Sequence, residues 1–196
     1  MAERPTLLIV IASTRPVRAG LPIAEWFEQR ARAHGGFEIE VADLAAIDLP
    51  LMNEPKHPRR REYEHQHTKD WSARVEAADA FVFVHPEYNH GMTAPLKNAL
   101  DYLSQEWAYK PLGLVSYGSV SAGTRAAQMI KQVAVYLKLF TVAEAVSIPF
   151  VSRRIGDDGA FVPDEMVEKA ADGMLTEMVR LEGALRTLRD TGTSGT

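Results

Sequence analysis

The chain has 196 residues, 46% hydrophobic and 24% charged, which suffices for one domain with its own core and no metal or disulfide staple. It has no cysteine, which excludes disulfides, thiolate nucleophiles and cysteine-held zinc, and suits a cytoplasmic protein. A net charge of −4 argues against a nucleic-acid partner, and no stretch reaches the ~18 apolar residues of a membrane span.

In chain order, 6–12 (TLLIVIA) is a continuous apolar run rich in β-branched residues, the pattern of a strand buried on both faces. Residues 16–33 follow with helical spacing of Ile23, Ala24, Phe27 and Ala31, stopped by His34-Gly35-Gly36. Residues 37–43 alternate and read as a strand nearer the sheet edge. Residues 45–66, rich in proline and charge, read as a long loop, and long loops in a small domain are usually functional. Helix 69–78, strand 80–85 (AFVFVH), helix 94–104, strand 111–117, helix 121–138, strand 141–148 and helix 163–188 complete the list. Residues 1–190 are expected to form a single domain, and the small polar tail 191–196 to be disordered.

Strands alternating with helices imply right-handed crossovers and a parallel sheet covered on both faces. The expected fold is α/β, a flavodoxin-like three-layer sandwich whose five-stranded parallel sheet has the order 2-1-3-4-5. The ligand crevice then lies at the carboxyl ends of strands 1, 3 and 4, just after Ala12, His85 and Tyr117.

Three loops occupy that crevice. The first, 13–20 (STRPVRAG), leaves a buried strand and opens a helix. Its hydroxyls, its two guanidinium groups and the helix amides all favour a phosphate. The plainer alternative is that Ser13 or Thr14 caps the helix while Arg15 and Arg18 face solvent. The loop has neither G-x-G-x-x-G nor G-x-x-x-x-G-K-[ST], so a mononucleotide phosphate suits better than a dinucleotide or a nucleoside triphosphate. The second loop, 86–92, supplies planar surfaces from Tyr88 and His90 and donors from Asn89. It reads alternatively as a turn before a helix capped by Thr93. The third, 116–125 (SYGSVSAGTR), lets a flat ligand approach the backbone through Gly118 and Gly123. Ser121 makes no nucleophile elbow, because Ser119 stands where glycine is required. His57, His65 and His67 in and beside the long loop fit an exposed loop better than a metal site, and no metal is expected.

Taken together, Ser13-Thr14-Arg15, residues 78–82 (ADAFV), 86–91 (PEYNHG), 94–101 (APLKNALD) and Ser116-Tyr117-Gly118 resemble the NAD(P)H-dependent FMN reductase family, which includes quinone, chromate and azo-dye reductases. The resemblance spans about residues 5–150, and the string PEYNHG-x-x-APLKNALDYL is its most specific part. It implies a flavoprotein oxidoreductase that passes hydride from NADPH or NADH to FMN and electrons on to a small-molecule acceptor. By the same resemblance, Ser13, Arg15 and the backbone of Val17, Arg18, Ala19 and Gly20 hold the FMN phosphate. Pro86, Glu87, Tyr88, Asn89 and His90 line the ring, and Ser116, Tyr117, Gly118 and Ser119 close its other edge. No side chain is required as a catalytic acid or base, because the cofactor carries the hydride chemistry. The family also implies a homodimer or homotetramer, with Trp107 and Tyr109 as candidate contacts, core packing being the plainer reading of both. His85, Met92, Ser119 and Ala122 depart from the family pattern and leave the acceptor open. Two other classes fit the same fold: an electron carrier with no nicotinamide site, and a non-catalytic nucleotide-binding module.

Overall fold

A computed structural model describes residues 4–192 of the chain. Its first strand, β1 (Thr6–Ile11), lies at the centre of a parallel sheet, so both its faces are covered and its run is apolar throughout. Helix α1 (Gly20–His34) starts four residues later than its apolar spacing suggests and ends at Gly35, which adopts the left-handed conformation at φ 74°. Strand β2 (Glu38–Asp43) forms the sheet edge, and only Ile39 and Ala42 of it are buried. Arg32 of α1 donates to the Ile39 carbonyl at 3.2 Å and Arg74 to the Val41 carbonyl at 2.5 Å.

The long loop holds more structure than its composition suggests. Helix α2 (Leu44–Ile47) and a single 3₁₀ turn (Pro58–Arg60) fold within it. Asn98 donates to the Pro50 carbonyl at 2.7 Å, and Tyr63 donates to the buried Glu106 carboxylate at 2.6 Å. The loop is therefore fastened along its length.

Helix α3 (Gln66–Ala77) leads to β3 (Ala80–Pro86), buried at every position. Phe81 and Phe83 face one core, while Ala80, Val82 and Val84 face the other, as a two-residue period requires. Helix α4 (Ala94–Asp101), β4 (Lys110–Tyr117) and α5 (Thr124–Tyr136) follow. Trp107, a candidate subunit contact on sequence grounds, instead packs in the core against Trp71, Phe81 and Phe83.

The sheet order is β2-β1-β3-β4-β5, the expected one, but a sixth strand is present. The single strand expected over 141–148 is split into β5 (Leu139–Thr141) and β6 (Val146–Ile148). β5 pairs with Lys110–Leu112 and β6 with Val115–Tyr117, so the two pieces together fill the fifth place beside β4. Helix α6 (Glu165–Gly192) closes the fold. It takes in Thr191 and Gly192 of the expected tail, while 193–196 lie outside the described residues. Helices α2 to α5 cover one face of the sheet, and α1 and α6 the other. Among the described residues no helix is long and apolar enough to cross a membrane.

Candidate functional site

The carboxyl ends of β1, β3 and β4 meet at a cavity of about 250 Å³. It is lined by Ser13, Arg15, Val17, Arg18 and Ala19 from the first loop, Pro86, Glu87 and Tyr88 from the second, and Tyr117 and Gly118 from the third. Val151 completes the wall. No motif surrounds it in the sequence; the pairing of β6 beside Tyr117, and the bond from its N–H to the Gly118 carbonyl at 3.0 Å, bring it in. Gly20, Asn89, His90, Ser116 and Ser119 were expected here but lie outside the lining.

Ser13 is buried, and its hydroxyl stands 3.1 Å from the Tyr88 hydroxyl, tying the first two loops together. Neither Ser13 nor Thr14 caps α1. The cap position is Ala19, which has no acceptor side chain, and the first turn holds no acidic residue. The positive end of this helix therefore meets the cavity with no side-chain cap and no acid in its own first turn. Arg15 and Val17 are exposed, and Arg15 has no carboxylate partner among the described residues. Arg18 is committed elsewhere: it donates to the Ser13 carbonyl and the Asp43 carboxylate, each at 2.7 Å, and pairs with both Asp43 oxygens. Its guanidinium braces the loop from below.

Tyr117 is 5% exposed, and its hydroxyl is buried without a partner. Burial pushes this phenol above its ordinary range, against the smaller opposing pull of Ser13, Arg18 and Arg15. The hydroxyl lies over Gly20, where a Cβ would approach it to 2.5 Å. Gly20 thus acts from outside the cavity lining, by leaving room for the tyrosine.

In the second loop, Tyr88 and Gly91 exchange backbone bonds at 3.1 and 3.0 Å, closing a tight hairpin. Asn89 (φ 50°) and His90 (φ 68°) form its tip, both left-handed, the pattern of a type I′ turn. That conformation costs a non-glycine residue roughly 1–2 kcal/mol. The tip is exposed, which is why neither side chain reaches the cavity.

Glu87 lines the cavity as expected of it, but its carboxylate is engaged by the third loop and α5. Its carboxylate accepts from the Arg125 and Ala126 amides at 3.0 and 3.4 Å, from Ser121 at 3.1 Å and from the Arg125 side chain at 2.6 Å. It caps the first turn of α5 from the neighbouring loop, and it couples the second loop to the third. Burial works to raise its pKa, but these donors outweigh it and hold the carboxyl below its ordinary value. Ser116 turns toward β6, with its hydroxyl 3.4 Å from the Val146 carbonyl. Thr93 caps α4 as expected and donates to the Ala12 carbonyl at 2.9 Å. His85 is buried with Nε2 unpartnered, and burial lowers its pKa to about 4, so the ring is neutral near pH 7.

Thr14 faces away from this cavity into a second one of about 380 Å³, beside Leu44, Asp48, Leu51 and Pro95. The two cavities flank the first loop. His65 and His67 stack at 5.1 Å, and their Nε2 atoms lie 3.2 Å from the Asn53 carbonyl and 3.1 Å from its side-chain oxygen.

An uncapped helix end, a free guanidinium and an orphaned buried hydroxyl around one cavity fit an anionic mononucleotide such as FMN. Comparisons with known proteins point the same way. An NAD(P)H-dependent FMN reductase of Schizosaccharomyces pombe is 41% identical over 137 residues, covering 69% of this chain and 68% of its own. An NADPH:quinone oxidoreductase of Arabidopsis thaliana is 31% identical over 155 residues, covering 75% and 69%. Among solved structures, the flavoenzyme FerB of Paracoccus denitrificans, an NAD(P)H:(acceptor) oxidoreductase, superposes with a TM-score of 0.73 over 92% of this chain and 98% of its own, at 20% identity. Residues 5–152, which carry all three loops and every strand, match the family described as NADPH-dependent FMN reductase, and the chain belongs to it.

Proposed function

We propose that the protein is an FMN-dependent NAD(P)H oxidoreductase of the quinone-reductase type, with the FMN phosphate at the mouth of α1. The observation that carries this reading is the anion-ready end of α1, opening on a cavity at the switch point of the sheet. When bound, FMN supplies the redox chemistry, taking hydride from the nicotinamide and handing electrons to a small-molecule acceptor. The chain's own residues bind and orient. Arg15 and the α1 amides offset the phosphate charge. The Tyr117 hydroxyl, placed near Ser13 and Gly20, supports a phosphate role in place of the ring-edge role expected of it. Tyr88, pinned by Ser13, offers a planar wall, and the Glu87–Arg125 pair holds the second and third loops at a fixed separation. No side chain near the cavity needs to move a proton for hydride transfer.

An electron carrier without a nicotinamide site is the less favoured reading, because the relatives are reductases by name. The single domain, the cytoplasmic setting and a homodimer or homotetramer belong to the same proposal. Exposed Leu51 and Met52 beside the second cavity support a subunit contact there.

The test is anaerobic titration of the FMN-loaded protein with NADPH, followed by visible absorbance. Rapid bleaching of retained FMN, with parallel initial-rate lines once quinone is added, is the expected result. FMN that stays oxidised favours the carrier, and failure to retain FMN overturns the proposal.

A further inference from the structure

Next to the flavin cavity lies a separate cleft of about 460 Å³, lined by Pro149, Phe150, Arg153, Arg154, Val162 and Asp164 among others. The two are neighbours through a single turn. Phe150 lines this cleft and Val151 lines the flavin cavity, and their N–H groups bond to the Ser119 and Gly118 carbonyls, both at 3.0 Å. The turn is thus stapled to the third loop of the site.

Phe150 adopts the left-handed conformation at φ 48° and remains 42% exposed. An apolar ring held outward at a conformational cost suggests a surface that meets something flat. The guanidinium of Arg153 lies 5.0 Å from the ring centroid, so cation and aromatic face form one platform. Arg154 is already neutralised by Asp164 at 2.6 Å, whereas Arg153 has no carboxylate partner among the described residues. Around the crevice, Arg18 and Arg125 are likewise paired, with Asp43 and Glu87. That leaves, among the described residues here, Arg15 at the flavin cavity and Arg153 at the cleft as the cations without carboxylate partners. A flat group beside a free guanidinium is the chemistry that recognises a phosphorylated purine nucleoside.

We propose that this cleft receives the 2′-phosphoadenosine end of NADPH, with adenine on Phe150 and the 2′-phosphate on Arg153. The inference rests on the reductase reading above. A nicotinamide brought to the flavin cavity carries its adenosine on a pyrophosphate tether, and the tether has to end in a neighbouring cleft. Arg153 then selects NADPH over NADH, because the unphosphorylated ribose gives the guanidinium nothing to bind in its fork.

The experiment is calorimetric titration of the FMN-loaded protein with adenosine 2′,5′-bisphosphate and, separately, with adenosine 5′-monophosphate. The wild type is expected to bind the bisphosphate at least about tenfold more tightly, as a charge-assisted Arg–phosphate contact would give. Arg153→Ala is expected to remove that preference, Arg153→Lys to restore part of it, and Phe150→Leu to weaken both nucleotides alike. Equal binding of the two by the wild type, or a preference that survives Arg153→Ala, overturns the proposal. The binding is read without turnover, and the flavin absorbance of the same samples reports on the reductase reading separately.

Discussion

Gly20, at the start of α1, and Tyr117, at the end of β4, meet in a contact that a double-mutant cycle can weigh. In Gly20→Ala the new Cβ would lie 2.5 Å from the Tyr117 hydroxyl, 3.3 Å from its ring carbon Cζ and 3.5 Å from the Ser13 Cβ. Gly20 has no positive φ, so the substitution acts through crowding alone. Overpacking of this kind costs about 1–3 kcal/mol, offset by up to ~1 kcal/mol of helix propensity gained at the first position of α1. Tyr117→Phe deletes the one atom in severe conflict and leaves contacts of 3.3 Å or more. The cost of Gly20→Ala should therefore fall by about 1–2 kcal/mol when it is made together with Tyr117→Phe. Urea unfolding of the apoprotein, with midpoints compared at constant slope, measures this. Tyr117→Phe alone should leave the apoprotein unchanged or slightly more stable, because the hydroxyl it removes is buried and unpartnered. The same change should weaken FMN by roughly tenfold or more and leave riboflavin affinity alone, since only FMN offers a phosphate acceptor. Additivity within about 0.5 kcal/mol would refute the crowding argument. Equal losses for riboflavin and FMN would return Tyr117 to the ring.

Four other expectations follow from the site. Arg15→Ala should raise the FMN dissociation constant about tenfold and reduce its salt dependence, read by flavin fluorescence quenching at two ionic strengths. Asp43→Asn, which breaks a pair whose side chains are 12% and 23% exposed, should cost about 1–3 kcal/mol and loosen the first loop, seen as faster amide exchange over 13–19. Glu87→Gln should destabilise at pH 7 by about 1–3 kcal/mol. The Glu87 pKa is lowered on folding, so its contribution is present above its unfolded value of 4.5 and lost as pH falls through the folded one. Wild type and variant should therefore converge in denaturant midpoint as pH falls through that lowered folded value. His85 runs the other way in charge but the same way in pH. It stays neutral down to about pH 4 when folded and takes a proton below 6.5 when unfolded, so stability falls between those values by on the order of 3 kcal/mol. His85→Asn should flatten that slope, and an unchanged slope would remove His85 from the account.

The strands were legible because their chemistry is local. The runs at 6–12, 80–85 and 111–117 are mostly apolar, rich in β-branched residues and alternate with helical segments, which together point to a doubly covered parallel sheet, and the strand order and crevice follow from that. The first loop could likewise be placed from its position between a buried strand and a helix. Pairings distant in sequence were not legible. Nothing at Arg18 announces Asp43, and nothing at Glu87 announces the amides of Arg125 and Ala126; both depend on loops that meet only after the sheet has formed. At Tyr117 the pattern gives the strand end but not the direction in which the side chain finds room, which Gly20 decides. The break between β5 and β6 was hidden because 141–148 (TVAEAVSI) alternates as an unbroken strand would.

Both margins of the sheet are closed to further strands. On one side the outward carbonyls of β2 are occupied by Arg32 and Arg74, side chains that a newcomer would have to displace. On the other the margin is offered only as two three-residue pieces with a gap between them. Neither presents the long, flat, unoccupied ladder from which cross-β aggregation grows. Edge-to-edge growth of the folded domain is therefore disfavoured, although its centre is rich in β-branched strands. Its hazard is confined to the unfolded chain, where the run 6–12 is laid open.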